Sequence, residues 1–222
     1  IVKFKEASPG TFAHSKILAE LLEKIGNALG LNSRKLKIVG FYHDIGKTIT
    51  PILYSENQPP DFNPHDKLEA WVSFALVSSH VAHTVQILLT DPNIDREIVD
   101  ICSQHHGTTL AVSFFKKSGT EDEDAFRYKT QRPQSFEAAL LMMCDHLEAR
   151  IRSEINSGKI TNREGIESII DDVFNYLVDD NQFDDVAIPS FRVLRKLKVI
   201  LKLEFSELYK DHKRIDYTQD TS

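Results

Sequence analysis

The sequence predicts an all-α domain. Apolar residues recur at spacings of three and four through several segments, these segments are punctuated by Gly and Pro, and no stretch alternates apolar and polar residues for the length of a useful strand. With 222 residues, 41% of them apolar, the chain can bury the core of one domain more readily than of two. It contains no internal repeat.

Residues 1–8 read as a linker that arrives at Ser8-Pro9-Gly10-Thr11, a helix start. His14, Ile17, Leu18, Leu21, Leu22, Ile25 and Leu29 then share a stripe, and Gly30 stops the run. Asn32 or Ser33 opens a second helix with Leu36, Val39, Gly40 and His43 on one face, and Gly46 is expected to end it. Residues 48–65 hold Pro51, Pro59, Pro60 and Pro64, so a long loop is predicted, and such loops in compact domains tend to be functional. A third helix is predicted over 66–89, with Trp71, Val72, Ala75, Leu76, Ser79, His80, Ala82 and His83 mostly inward. A short helix over 94–104 delivers His105-His106 to a terminus closed by Gly107.

Residues 119–134 mix charges without periodicity and read as a surface loop. Ser135 caps a long helix that carries Ala138, Leu141, Met142, Asp145 and Ala149 on one stripe. Two amphipathic helices follow, over 163–178 and 189–209. The expected organisation is thus a single domain over 9–210, with its motifs in 9–156, helices in 163–210 and a tail over 211–222.

A net charge of −6 argues against a protein that wraps a nucleic-acid polymer or lies on anionic lipid, while leaving room for a small phosphorylated ligand. Cys102 and Cys144 lie in apolar helical runs and not in a CxxC pair, so a reducing compartment is expected. No run of about 18 apolar residues suggests a membrane span.

The chemistry concentrates in His14, His43, Asp44, His80, His105, His106 and Asp145, at the inner faces or ends of five predicted helices. Buried carboxylates need cations, and the inward faces offer imidazoles rather than Lys or Arg. A metal centre satisfies the set together. Mixed imidazole and carboxylate ligands suit one or two Fe, Mn, Zn or Co ions.

Several motifs then converge on one family: Gly10-Thr11-Phe12-Ala13-His14-Ser15, His43-Asp44-Ile45-Gly46-Lys47, Ser78-Ser79-His80, His105-His106-Gly107-Thr108-Thr109 and the distal Asp145. They resemble an HD-domain phosphohydrolase, an all-α helical bundle. Ser55-Glu56-Asn57-Gln58, Asn63-Pro64-His65-Asp66-Lys67-Leu68, Phe126-Arg127-Tyr128 and Cys144-Asp145-His146-Leu147-Glu148-Ala149 narrow the likeness. They are similar to the cytosolic domain of the seven-transmembrane HD receptors, which hydrolyse cyclic di-AMP. The resemblance covers residues 8–156 by motif and the rest by helix pattern.

The resemblance implies two divalent ions, commonly iron or manganese. His14, His43, Asp44 and Asp145 would hold one and Asp44, His80, His105 and His106 the other, with Asp44 as the bridge. Such a pair can clamp a phosphodiester oxygen and acidify a water for in-line attack. Lys47 would meet a phosphate oxygen, although it also reads as an exposed lysine after a helix end. His65 either lines the pocket or caps the following helix, the second being favoured; Thr108 and Thr109 are candidate phosphate donors or turn residues; Arg127 and Tyr128 form a candidate lid or a solvated loop. His83 and His146 depart from the family pattern and read as outer groups.

The activity implied is hydrolysis of cyclic di-AMP to linear pApA. The alternatives are another nucleotide hydrolase of the superfamily, or a sensor that binds a cyclic dinucleotide without turnover. The Gly-Tyr-Pro signature usual in cyclic di-GMP hydrolases is missing after His105-His106. The resemblance also implies membrane helices and an extracytoplasmic sensor upstream, so that this chain would be a cytoplasmic domain of an integral membrane protein.

Overall fold

The structure, a computed structural model, describes residues 2–160 and 162–210. The helices in order are α1 (Val2–Ala7), α2 (Pro9–Leu29), α3 (Ser33–Tyr42), α4 (Ala70–Ser78), α5 (His80–Leu89), α6 (Arg96–Ser103), α7 (Val112–Ser118), α8 (Phe136–Asn156), α9 (Arg163–Asp179) and α10 (Phe191–Leu208). Among the described residues, pairing of extended backbone is limited to an isolated bridge between Leu110 and Arg127. The all-α prediction therefore holds.

Local chemistry explains most helix starts. Pro9 opens α2, and Gly30 closes it in the left-handed region at φ 74° with its N–H on the Gly26 carbonyl. Asn32, Asp95, Ser135, Asn162 and Ser190 cap α3, α6, α8, α9 and α10 by accepting a backbone N–H one turn in or nearer. The core joins α2, α3, α6, α8, α9 and α10, with α8 at its centre: Leu140, Leu141, Met142, Cys144, Leu147 and Ile151 are fully buried.

Several expectations change. The segment expected to be a linker includes α1, whose buried Phe4 packs edge-on against Phe12 and Phe41 at centroid distances of 5.6 and 5.8 Å. The 48–65 loop is wound into 3-10 turns at Pro51–Leu53, Ser55–Asn57 and Pro64–Lys67, which its prolines favour. The single helix expected over 66–89 starts at Ala70 and breaks at Ser79, where side chains take up carbonyls needed to continue the ladder. His80 Nδ1 donates to the Val77 carbonyl and Ser79 Oγ to that of Leu76. The inward stripe consequently runs through Phe74, Val81, Thr84 and Leu88, while Trp71 and Leu76 are exposed. Finally, the 119–134 segment buries Phe126 and Tyr128 against Phe74, so it is part of a second small core rather than a free surface loop.

By length and composition Ala70–Leu89 is apolar enough to cross a membrane, with mean hydropathy 1.5. Here its two halves serve the domain, since α5 packs along the 3-10 turn Ile45–Ile49 and carries the buried His80. The expected tail over 211–222 lies outside the described residues.

Gly46 does not end α3, which stops at Tyr42. It lies in the 3-10 turn Ile45–Ile49, where a Cβ would come within 2.1 Å of the His80 carbonyl oxygen and 2.5 Å of Thr84 N. Both are backbone atoms, so α5 would have to move. Gly46→Ala is expected to lower stability by about 1–3 kcal/mol, the range for overpacking, and to depress metal uptake through His80. A thermal melt coincident with that of the unaltered chain would contradict this reading of the contact.

Candidate metal centre

The ends of α3, α5 and α6 and the inner faces of α2 and α8 meet at one point. α2 contributes His14, the end of α3 gives His43 and Asp44, α5 begins with His80, the turn after α6 holds His105 and His106, and α8 brings Asp145. Ligand atoms of His14, His43, Asp44 and Asp145 lie within 4.8 Å of one another, and those of His80, His105 and His106 form a second such group. All seven are buried except His106, which is half-buried.

The carboxylate of Asp44 stands between the groups. Its Oδ2 is 3.3 Å from His43 Nε2 and 3.9 Å from His14 Nε2, while its Oδ1 is 3.3 Å from His80 Nε2 and 3.6 Å from His105 Nε2. Asp145 Oδ1 lies 3.1 Å from His14 Nε2 and 3.6 Å from His43 Nε2.

The imidazoles are oriented from behind. His43, His80 and His105 donate Nδ1–H to the carbonyls of Gly40, Val77 and Cys102 at 2.9, 2.7 and 2.6 Å. A carbonyl only accepts, so each ring keeps its Nε2 lone pair for the cluster. His14 Nδ1 instead meets the fully buried Glu148 carboxylate at 2.7 Å, the outer-shell arrangement of metal-binding imidazoles.

These tautomers make the donor set fit a cation. His80 Nε2 is 3.1 Å from both His105 Nε2 and His106 Nε2, which for neutral His80 and His105 sets lone pair against lone pair. His43 Nε2 and Asp44 Oδ1 are buried without a hydrogen-bond partner. A divalent ion in each group would turn these contacts into ligation, and the N and O donors are those that Fe, Mn, Zn and Co accept.

Charge divides the groups. Burial works against protonation of His14 and His43, but Glu148 and Asp145 raise His14 to about 10, and Asp44 and Asp145 raise His43 to about 9. Burial alone would push Asp44 and Asp145 up; Lys47 and His43 hold Asp44 well below the usual carboxylate range, and His14 and His43 do the same for Asp145. In the second group burial and the neighbouring cationic or imidazole groups lower His80 to about 3 and also lower His106. The first group thus sets two carboxylates against imidazoles that hold a proton tightly, as a cation-seeking site does, whereas His80 and His106 in the second resist protonation.

A cleft of about 480 Å³ opens on this centre, lined at its floor by His14, His106 and Asp145 and at its sides by Lys47, Tyr54, Glu56, His65 and Phe114. Lys47 Nζ is not a loose surface group. It pairs with Asp44 Oδ2 at 2.6 Å and Glu56 Oε1 at 3.0 Å and lies 5.1 Å from the centroid of the Tyr54 ring.

The remaining candidates separate. His65 lines the cleft, donating Nε2–H to the Leu53 carbonyl, and does not cap the following helix: Asn63 caps the 3-10 turn Pro64–Lys67 by accepting from His65 N, and α4 starts at Ala70 without a side-chain cap. Thr108 and Thr109 do not line the cleft. Thr109 Oγ1 donates to the His106 carbonyl, and Thr108 exchanges hydrogen bonds with Gln182, so both fix the turn behind His106. Arg127 is no lid either, being held by Asp180, Glu123 and the Thr108 carbonyl. Tyr128 stacks on His106 at a centroid distance of 4.3 Å and so braces a candidate ligand. His146 turns its Nδ1–H to the Met142 carbonyl, with its ring 6.2 Å from that of His106.

Three functional side chains have no role assigned from the sequence: Glu56 and Glu148 enter only as members of motifs, and Tyr54 not at all. Glu148 sits one turn after Asp145 on α8, a spacing that could have revealed it. Tyr54 and Glu56 reach the site through an aperiodic loop. Asn57 pins that loop, accepting from Gly10 N and Thr11 N at the start of α2.

Comparison with known proteins follows the same lines. The HD domain family model matches residues 11–150. The chain is 34% identical to the cyclic-di-AMP phosphodiesterase PgpH of Bacillus subtilis (strain 168) over 223 residues, which is 99% of this chain and 30% of that protein. It is 36% identical to PgpH of Listeria monocytogenes serotype 1/2a (strain 10403S) over 221 residues, 96% of this chain and 29% of that protein. The chain therefore spans under a third of these relatives. The crystal structure of the L. monocytogenes PgpH HD domain in complex with cyclic di-AMP superposes with a TM-score of 0.85 at 33% identity, covering 96% of this chain and 97% of that one. With the motifs, the bundle and the family match in agreement, this chain belongs to the HD-domain family.

Proposed function

We propose that this chain is a metal-dependent phosphodiesterase domain that opens cyclic di-AMP to linear pApA. The observation that carries the reading is Asp44, whose two oxygens face two separate ligand groups beneath a cleft, in a fold that matches an HD domain bound to cyclic di-AMP. We assign His14, His43, Asp44 and Asp145 to one ion and Asp44, His80, His105 and His106 to the other, with iron or manganese as the metals. When bound, such a pair supplies positive charge for phosphate oxygens and acidifies a water.

The protein's own groups orient the substrate. Lys47 has three N–H donors and spends two on Asp44 and Glu56, which leaves one for a phosphate oxygen entering the cleft. Phe114, half-buried in the cleft wall, offers aromatic surface for a base. The cleft volume falls in the range of about 300–1,000 Å³ typical of small-molecule sites. We place the chain as one domain that takes in α1 together with residues 9–210, and, on the strength of the resemblance alone, in the cytosolic part of a longer membrane protein; a gene whose reading frame starts close to Ile1 would contradict that placement.

The test is incubation of Mn²⁺- or Fe²⁺-loaded protein with a panel of cyclic dinucleotides and nucleotides, with products separated by chromatography. The expected product is pApA, formed preferentially from cyclic di-AMP. Preference for another nucleotide would favour a different hydrolase of the family, and binding without turnover across the panel would make the chain a sensor. In the same assay Lys47→Ala is expected to reduce kcat/KM by roughly 10²-fold, as for loss of one oriented transition-state contact, with metal content unchanged.

A further inference from the structure

A second cavity lies on the far side of α8, between α8, α9 and α10. It encloses about 210 Å³, and its walls are Met143, Ile170, Phe174, Leu194, Leu197 and Leu201. The volume is below that of sites for drug-sized ligands, so it excludes a nucleotide and admits a fragment. Apolar walls of this kind favour a hydrocarbon chain or a single ring.

The rim is charged and unbalanced. Asp171 is answered by Lys198 at 2.6 Å and Lys202 at 3.3 Å. Arg195, also on the rim, makes no hydrogen bond or ion pair among the described residues, so the mouth carries a spare guanidinium. An apolar cavity that ends at an uncommitted cation is complementary to a molecule with an apolar body and one negative end.

We propose that this cavity is a binding site for a small amphipathic monoanion, its hydrocarbon inside and its carboxylate against Arg195. The site is separate from the metal centre: Met143 faces it from one side of α8 while Asp145 faces the metal ligands from the other.

The chain's two methionines make the test direct. Met143 lines the cavity, whereas the Met142 methyl lies against Gly107, next to the ligand His106. The experiment is a titration of the full chain, labelled with ¹³C at the methionine methyls, with octanoate and with uncharged 1-octanol, read by NMR. Octanoate is expected to shift the Met143 methyl saturably and leave Met142 in place. 1-Octanol is expected to bind about fivefold more weakly, and Arg195→Glu to weaken octanoate by a similar factor, as for one exposed ion pair. Leu194→Trp, which fills the cavity, is expected to abolish the shift in a chain whose melting temperature is retained. The proposal is overturned by an unmoved Met143 at millimolar octanoate, by Met142 moving together with Met143, or by unchanged affinity in Arg195→Glu.

Discussion

Asp44→Ala is expected to empty both ligand groups and to reduce turnover by more than roughly 10³-fold, beyond the loss from a single oriented charge. Asp44 is the only carboxylate among the seven candidate ligands whose two oxygens approach different groups, Oδ2 near His43 and Oδ1 near His80. Loss of His80 or His105 removes a donor from one group and leaves the other complete. The comparison is therefore graded: Asp44→Ala should retain close to no metal, and His80→Ala or His105→Ala should retain up to one ion per chain. Equal metal loss in all three variants would deny Asp44 its bridging place.

Glu148→Gln should produce the second largest effect, because this side chain orients His14 without touching the cleft. Its fully buried carboxylate meets His14 Nδ1 at 2.7 Å, accepts from Tyr209 OH at 3.0 Å and pairs with Arg152 Nε at 3.2 Å. The amide keeps the shape and removes the charge that favours a firmly held His14. Affinity for the ion of the His14 group is expected to fall about 10–100-fold, the usual cost of losing an outer-shell partner. Uptake at the His80 group should be unaffected. Metal titration followed by calorimetry would then show one weakened and one intact site; two intact sites would contradict the role.

Much of this centre could be read before the fold was known. His14, His43, Asp44, His80, His105, His106 and Asp145 each occupy a helix face or a helix end, so periodicity alone marked them as inward, and the motifs marked them as a set. The groups that orient them were less legible for a physical reason. Glu148 acts on a residue 134 positions away, and Tyr54 and Glu56 depend on the path of a loop without periodicity. Thr84, whose Oγ1 accepts from Gly46 N and donates to the His43 carbonyl, lies on a face of α5 about one residue round from the expected stripe through His83. That error follows from the break at Ser79, where a local side-chain bond outcompetes the helix ladder. Arg127 misled for a different reason: a basic residue in a mixed-charge loop looks available for a nucleotide until Asp180, 53 positions later, is seen to hold it.

Metal content is the measurement that bears most directly on the central claim. Protein purified without chelator, analysed by elemental mass spectrometry, should carry close to two transition-metal ions per chain, or reach that level on addition of Mn²⁺ or Fe²⁺. A chain that stays free of metal after such addition, while folded by its melt, would contradict the account.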